Sequence, residues 1–500
     1  FQMDVLGLCA FSLFIASVGA SEILVGVMTQ GKSHTGSFMP LLEELKGQGH
    51  NVTLFMDSYA NISFGNRVNE WFIKITGHRN PMEEPGRAAG LWKDRFTFVS
   101  QMAPFYLGSQ SCEHVLEDHR DEFNRLVNYR WDLILTDSLF AVCSYGIAEL
   151  SKAHHVIVHS TDVESAAGTA KGLARNFIMM PRYFLEFDHA EYNIARFMDR
   201  FWSAYEWLGT WTMMNIVSNR HMRNALSPVV PRFDITRFYA DSSMSFTDMP
   251  LSLYFPMATN NELFIYGAYC RPSKPLTAEF STFIDDQSSR GTILIAFGTI
   301  VDWAHAPREK LDAFVDALNE LSEYRIIWSY GGPEIRTKKH IKLVRWLPQN
   351  DILNDNRTKL FITHGGLKSV KETTCAAVPT LLMPMFAEQV RNSWLTYHHG
   401  FGRMINKVNF TSASLIESIR DMAANPVYKK NVLRLRKFYE DAPIPALKEA
   451  SFKINRLLKY GGRMPEYFYT RSTKLSFFTS LNIDLLILYP SILLMLLLIK

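Results

Sequence analysis

The chain is poor in cysteine, carries only a small excess of basic over acidic residues and contains no low-complexity tract. Each shortage removes a class of function. Five cysteines in 500 residues (Cys9, Cys112, Cys143, Cys270, Cys375) are too few for a disulfide scaffold, and they lack the Cys-x-x-Cys spacing of a zinc site. Basic residues number 53 against 49 acidic ones, well interspersed, so no nucleic-acid footprint is expected. With 27 glycines and 21 prolines the chain is neither disordered nor collagen-like. What is present is apolar bulk: 47% hydrophobic and 13% aromatic residues, including 35 Phe and 10 Trp. Such content points to large apolar pockets or a membrane-side surface, and 500 residues exceed what one core usually serves, so two domains are expected.

Both ends are apolar. Val5–Val18 reads as the apolar region of a signal peptide, and Val18-Gly19-Ala20 is a small-residue cleavage pattern, although no basic residue precedes it; residues 1–20 are assigned to this leader. Leu485–Ile499 carries no charge, and extended back to Phe477 the stretch 477–499 is long enough to span a bilayer while including Asp484. A leader in front and one anchor behind, with Lys500 on the cytoplasmic side, imply a single-pass type I membrane protein with a lumenal body. Four Asn-x-Ser/Thr sites (Asn51, Asn61, Asn356, Asn409) are compatible with that compartment, though Asn51 falls at the start of an expected strand.

Between the ends the pattern alternates strand and helix. Ile23–Met28 reads as a buried strand, Leu41–Lys46 as a short helix ended by Gly47 and Gly49, and Val52–Met56 as the next strand. Trp131–Asp137, a helical stretch to Leu150, and Val156–His159 repeat the unit. In Pro181–Leu226 the aromatics Phe184, Phe187, Phe197, Phe201, Trp207 and Trp211 fall mostly on helical spacings, which suits ordinary core packing or the wall of an apolar acceptor pocket. Ala258–Arg290 is linker-like, with Asn260-Asn261, Pro272, Pro275 and Asp285-Asp286. A second series follows: strands at Thr292–Phe297, Tyr324–Ser329, Ile341–Val344, Lys359–Thr363 and Thr380–Met383, with helices at Pro307–Ser322 and Leu367–Ala377. Strand, helix, strand with short connections argues two doubly wound α/β halves, 21–270 and 271–465, with ligands at the carboxyl ends of the strands.

One short pattern competes. Gly26-Val27-Met28-Thr29-Gln30-Gly31-Lys32-Ser33 matches the phosphate-cradling G-x-x-x-x-G-K-S, and Leu133–Asp137 offers a strand ending in a carboxylate. Against it, Gly26 lies inside the apolar run, and Gly36 and Pro40 are expected to interrupt any helix beginning at Lys32.

A longer block carries more chemistry. It runs from Trp346-Leu347-Pro348-Gln349 through Phe361-Ile362-Thr363-His364-Gly365-Gly366-Leu367-Lys368-Ser369-Val370-Lys371-Glu372 to Phe386-Ala387-Glu388-Gln389. His364-Gly365-Gly366 ends a strand and opens a helix, so its amides and positive dipole end can hold an anion while the glycines admit phosphate to the backbone. Without a ligand, His364 would merely cap that helix. Trp346 offers a flat face for a base, and Gln349 has a donor and an acceptor for uracil or ribose. Glu372, two turns into the helix, can accept from ribose hydroxyls, and Glu388-Gln389 can bond sugar hydroxyls.

This block resembles the donor-binding signature of the UDP-glycosyltransferases, especially the membrane-anchored animal UDP-glucuronosyltransferases. The resemblance extends from the Ser33-His34 loop through Phe297-Gly298-Thr299 to Asp441–Lys448 and the terminal anchor. It implies the GT-B fold, two Rossmann-like domains facing a cleft, and residence in the endoplasmic reticulum membrane. It also implies that His34 is the general base, oriented by Asp137, although alone the first would read as a loop histidine and the second as a helix cap. Thr299, His364, Gly365, Gly366 and Ser369 would hold the diphosphate, Trp346 would stack on uracil, Gln349 and Glu372 would contact ribose, and Glu388 and Gln389 the sugar.

The implied reaction is inverting transfer of glucuronosyl or glucosyl from a UDP-sugar co-substrate to a hydroxyl of a small lipophilic acceptor. No Asp-x-Asp pair occurs in the chain, and no metal or other cofactor is expected. Oligomers, homomeric or mixed, fit the exposed aromatics and the anchor. The sequence departs from the family at Lys368, where mammalian members typically have Asn, and at Glu388, where Asp is usual; the usual basic tail is absent or truncated after Lys500. Lys368 could meet a phosphate or crowd the donor, so a non-catalytic binding homologue is the rival reading, with the phosphate-loop NTPase behind it.

Overall fold

The computed structural model of this chain describes residues 19–29, 31–83, 85–94, 97–163, 165–173, 192–250, 257–480 and 482–498. The leader's apolar run, Phe184, Phe187, Ile499 and Lys500 lie outside the described residues.

Two all-parallel sheets form the frame. The first contains β1 (Glu22–Gly26), β2 (Asn51–Ser58), β3 (Asn69–Lys74), β4 (Leu133–Asp137), β5 (His154–His159), β6 (Ser245–Thr247) and β7 (Leu263–Ile265), in the order β3-β2-β1-β4-β5-β6-β7. The second contains β8 (Thr292–Ala296), β9 (Arg325–Ser329), β10 (Ile341–Val344), β11 (Thr358–Thr363), β12 (Thr380–Leu382) and β13 (Gly402–Met404), in the order β10-β9-β8-β11-β12-β13. Strands buried on both faces need continuous apolar runs, and Ile23-Leu24-Val25 and Ile293-Leu294-Ile295 supply them, each side chain wholly buried.

Each sheet reverses its order once, between β1 and β4 and between β8 and β11. Chains leaving such strands diverge to opposite faces and open a crevice at the carboxyl edge. Register makes the edge even: Gly26 lies opposite Thr136, and Thr363 opposite both Ala296 and Leu382. His34, Asp137, Gly298 and His364 all follow or end these four strands.

The halves also exchange elements. Trp92, in helix Pro85–Lys93 of the first half, is buried against Trp303 in the second core, with ring centroids 4.8 Å apart. Helix Ala446–Lys459 returns to the first sheet and buries Ala450, Ile454 and Leu457 beside Ile23 and Val25. Burial of large side chains such as Trp92, Ile454 and Leu457 stabilises the association by about 1.5–3 kcal/mol each.

Several expectations change. The first helix is not the short Leu41–Lys46 but Lys32–Gly47, running through Gly36 and Pro40. Proline in a helix removes one bond, that to the carbonyl four residues back; here the orphaned carbonyl is Gly36 O, and the Nη2 of Arg271 donates to it. Tertiary packing outweighs the local penalty: Phe38, Met39, Leu41 and Leu42 are all buried. The expected interruption of a phosphate loop is therefore absent, but two other features oppose that reading. The Gly31 amide is turned back onto Met28 O, and Asp137 is engaged by His34.

The linker-like Ala258–Arg290 contains β7 and helix Ala278–Ile284, and β3, β6 and β13 had no clear sequence signal. The four cysteines among the described residues are bonded, Cys112 to Cys143 and Cys270 to Cys375; the second bond ties the connection after β7 to helix Leu367–Ala376. At the carboxyl end, helix Ile483–Leu498 has 16 residues, about 24 Å. No helix among the described residues is long and apolar enough to cross a membrane.

Candidate active site

The centre of the first half is a histidine held by a buried carboxylate. His34 lies in the first turn of helix Lys32–Gly47, which follows β1, while Asp137 is the last residue of the adjacent β4. Asp137 Oδ2 is 2.8 Å from His34 Nδ1, and Asp137 is wholly buried where His34 is 16% exposed. The carboxylate is fixed by its surroundings: Met28 N donates to Oδ2 at 3.4 Å and Leu139 N to Oδ1 at 3.3 Å. Ser160, just beyond β5, places its hydroxyl 2.9 Å from the same ring nitrogen. With Nδ1–H donated to Asp137, Nε2 carries the basic lone pair. Sequence reasoning did not find Ser160, because nothing in its local pattern distinguishes it from any serine at a strand end.

The second half presents the other wall. His364 follows β11, and helix Leu367–Ala376 begins after Gly366 without a side-chain cap. Burial drives the His364 imidazole down to about 4, so it is neutral near pH 7. The glycines are required: Gly298 and Gly365 have φ of +73° and +85°. A Cβ at Gly298 would approach His364 Cε1 to 2.9 Å, and one at Gly366 would approach its Nε2 to 2.8 Å.

The remaining predicted residues fall along the same edge. Thr299 is exposed in the turn after β8. Trp346, after β10, is 77% exposed and presents an open ring face. Gln349 Nε2 donates to Glu372 Oε2 and lies 3.4 Å from the hydroxyl of the buried Ser369, so these three form one polar group. Glu388 precedes helix Gln389–His398; burial pushes its carboxyl above the usual range, opposed by the nearby His34 and Arg391. Gln389 is turned inward, its Oε1 accepting from Met385 N at 3.0 Å and Phe386 N at 3.1 Å. Only its amide nitrogen is left to reach a sugar hydroxyl.

Four contacts across the halves were not legible in the sequence. Arg391 Nη1 pairs with Asp162 at 2.6 Å, and Lys371 Nζ with Asp248 at 2.6 Å, all four side chains nearly inaccessible. Arg271 reaches Gly36 as described, and Lys368 lies beside the same glycine: a Cβ there would be 3.1 Å from its Nζ. Ion pairs between residues more than a hundred positions apart leave no periodic trace. Among the described residues, no group of three or more His, Cys, Asp or Glu is placed to hold a metal.

This arrangement has known relatives. Residues 23–496 match the model of the family described as "UDP-glucoronosyl and UDP-glucosyl transferase". Human UDP-glucuronosyltransferase 1A6 is 26% identical over 357 residues, which is 70% of this chain and 65%, just under two thirds, of that relative's own length. Human UDP-glucuronosyltransferase 1A9 is 29% identical over 481 residues, 91% of this chain and 86% of the relative. Among solved structures, the glycotransferase of kitacinnamycin superposes with a TM-score of 0.59 at 16% identity, covering 88% of this chain and all but 1% of its own (99%). That likeness establishes the fold: two parallel-sheet α/β halves facing a cleft, the GT-B arrangement.

Proposed function

The chain belongs to the UDP-glucuronosyl and UDP-glucosyl transferase family, and on that premise we propose that it transfers a glucuronosyl or glucosyl group from a UDP-sugar to a hydroxyl of a small lipophilic acceptor. The observation that carries the proposal is the His34–Asp137 pair at the switch point of the first sheet, facing the uncapped His364-Gly365-Gly366 helix start at the switch point of the second.

In this reading His34 Nε2 takes the proton of the acceptor hydroxyl as its oxygen attacks the anomeric carbon from the side opposite UDP, inverting that centre. Asp137 is a positioning residue: it fixes the tautomer and stabilises the imidazolium that forms. Neutral His364, the helix amides after Gly365 and Gly366, Thr299 and Ser369 receive the diphosphate; none needs a metal. Trp346 stacks on uracil, Gln349 and Glu372 contact ribose, and Glu388 with the Gln389 amide nitrogen contacts the sugar.

Two further observations support a lumenal, membrane-attached protein. Two disulfides suit an oxidising compartment. Helix Ile483–Leu498 exposes an almost unbroken apolar surface, Leu486 at 68% and Leu498 at 76%, which suits an anchor.

The test is microsomal protein supplied separately with UDP-glucose and UDP-glucuronate and a panel of simple phenols, following UDP release and product mass. Conjugates that vanish with His34→Ala are expected, and the donor that yields them identifies the sugar. Saturable UDP binding with no conjugate from either donor would overturn the catalytic reading.

A further inference from the structure

Lys368 is a cation at a helix start that makes no ion pair among the described residues. It lies in the first turn of helix Leu367–Ala376, where the helix dipole is positive and a lysine is disfavoured. Its nearest helical partner, Glu372, lies four residues towards the C-terminus, the weaker orientation for such a pair. Among the described residues no carboxylate comes within ion-pair distance of its ammonium. Burial also lowers its pKa, and the charges of Glu372 and Asp248 only partly oppose this.

A second cation converges on the same spot. Arg271, in the connection after β7, donates through Nη2 to Gly36 O, the carbonyl that Pro40 leaves without a helical partner. Gly36 has no side chain, so the Lys368 ammonium rests against the same turn. Two residues earlier in that turn is His34. The bond Cys270–Cys375 fixes Arg271's neighbour to the helix that carries Lys368, so both cations are held from one rigid junction.

We propose that Lys368 and Arg271 form a two-cation clamp on the terminal phosphate of the nucleotide donor, seated on the helix that carries His34. The proposal rests on the reading above and adds the chemistry of the leaving group. When the acceptor oxygen bonds to the anomeric carbon, the bond from that carbon to the phosphate oxygen breaks, and its electron pair stays on the phosphate. The acceptor proton goes to His34, and UDP leaves with one more negative charge on its terminal phosphate. Cations preorganised at that phosphate stabilise the charge as it develops. Because Arg271 bonds Gly36 and Lys368 lies beside it, they also couple nucleotide binding in the second half to the placement of the general base in the first.

The probe is the affinity of the full chain for UDP, UMP, uridine, UDP-glucuronate and UDP-glucose by titration calorimetry, in wild type, Lys368→Met, Lys368→Asn and Arg271→Gln. The wild type is expected to bind UDP far more tightly than UMP. Each cation removed is expected to lower that UDP/UMP ratio by roughly 10-fold or more, the worth of a charge-assisted hydrogen bond, while UMP affinity stays within about 2-fold. Ratios unchanged in all three variants would overturn the clamp, and Lys368→Asn tests the position without an apolar replacement. A loss seen only as altered preference between UDP-glucuronate and UDP-glucose, with the UDP/UMP ratio intact, would assign the cations to the sugar carboxylate and also overturn it. Absence of any uridine nucleotide binding to the wild type would overturn the family reading of the donor site and the clamp with it.

Discussion

Asp162 and Arg391 meet at 2.6 Å across the two halves of the molecule, Arg391 wholly buried and Asp162 almost so. Asp162 follows β5 at the carboxyl edge of the first sheet, and Arg391 lies in helix Gln389–His398, three residues beyond Glu388. The pair therefore sets the distance between the wall that carries His34 and the wall that carries the sugar contacts.

Breaking one partner of such a pair strands a buried charge, which costs about 3–5 kcal/mol. Asp162→Asn or Arg391→Met should each lower the denaturation midpoint clearly. The double variant should recover much of the loss, because it leaves no unpaired charge. Additive losses in that cycle, measured by urea unfolding, would show that the two residues act separately.

Asp137→Asn keeps the shape of the carboxylate but removes its charge and favours the wrong imidazole tautomer. On the proposed mechanism, kcat should fall by about 10²–10⁴-fold, with the Kd for UDP unchanged. His34→Ala should fall at least as far, and the double variant little further, because the two act as one unit. Multiplicative losses in a rate comparison would contradict that arrangement.

Trp346 exposes most of its indole beside the donor edge. If uracil stacks there, Trp346→Ala should weaken UDP and uridine alike, by about 1–3 kcal/mol on the scale of base–aromatic stacking. Calorimetry with both ligands checks this; a loss confined to UDP would mean that the ring serves the phosphates and not the base.

His155, the second residue of β5, has Nε2 2.9 Å from Phe238 O and its ring stacked on Phe238. Burial drives its pKa down to about 4, and His364 is lowered to the same level. Unfolded histidine titrates near 6.5, so between about pH 6.5 and 4 the unfolded chain binds protons that the folded chain does not. Stability is thus fully present above pH 6.5 and falls as the pH drops towards 4. Denaturation midpoints from pH 7.5 to 4.5 should show this slope, and His155→Gln should flatten it; an equal slope in the variant would place the titration elsewhere.

Closing a long loop restricts the unfolded chain, and the Cys270–Cys375 bond closes one with a sequence separation of 105. Cys375→Ser should therefore lower stability by about 3–5 kcal/mol in the chain-entropy account. The same substitution should loosen Arg271 and lower the UDP/UMP ratio, so unfolding and calorimetry together separate the two effects.

The sequence by itself determined most of the scaffold. Buried parallel strands demand uninterrupted apolar runs, so β1, β2, β4, β5, β8, β9, β10, β11 and β12 were visible as such runs. The His364-Gly365-Gly366 block was visible because an anion site at a strand–helix junction constrains consecutive residues. The edge strands left less trace: β3 buries only Ile73 fully and so needs no apolar run, and β13 has three residues. Helix Lys32–Gly47 was hidden because local propensity counts Gly36 and Pro40 against it, whereas the fold repays them with buried Phe38 and Leu42 and with the Arg271 bond to the orphaned carbonyl. Only the tertiary structure decided which distant groups meet: Ser160 with His34, Asp162 with Arg391, Lys368 and Arg271 at Gly36. Such contacts depend on the through-space meeting of side chains from separate elements, and no local spacing records them.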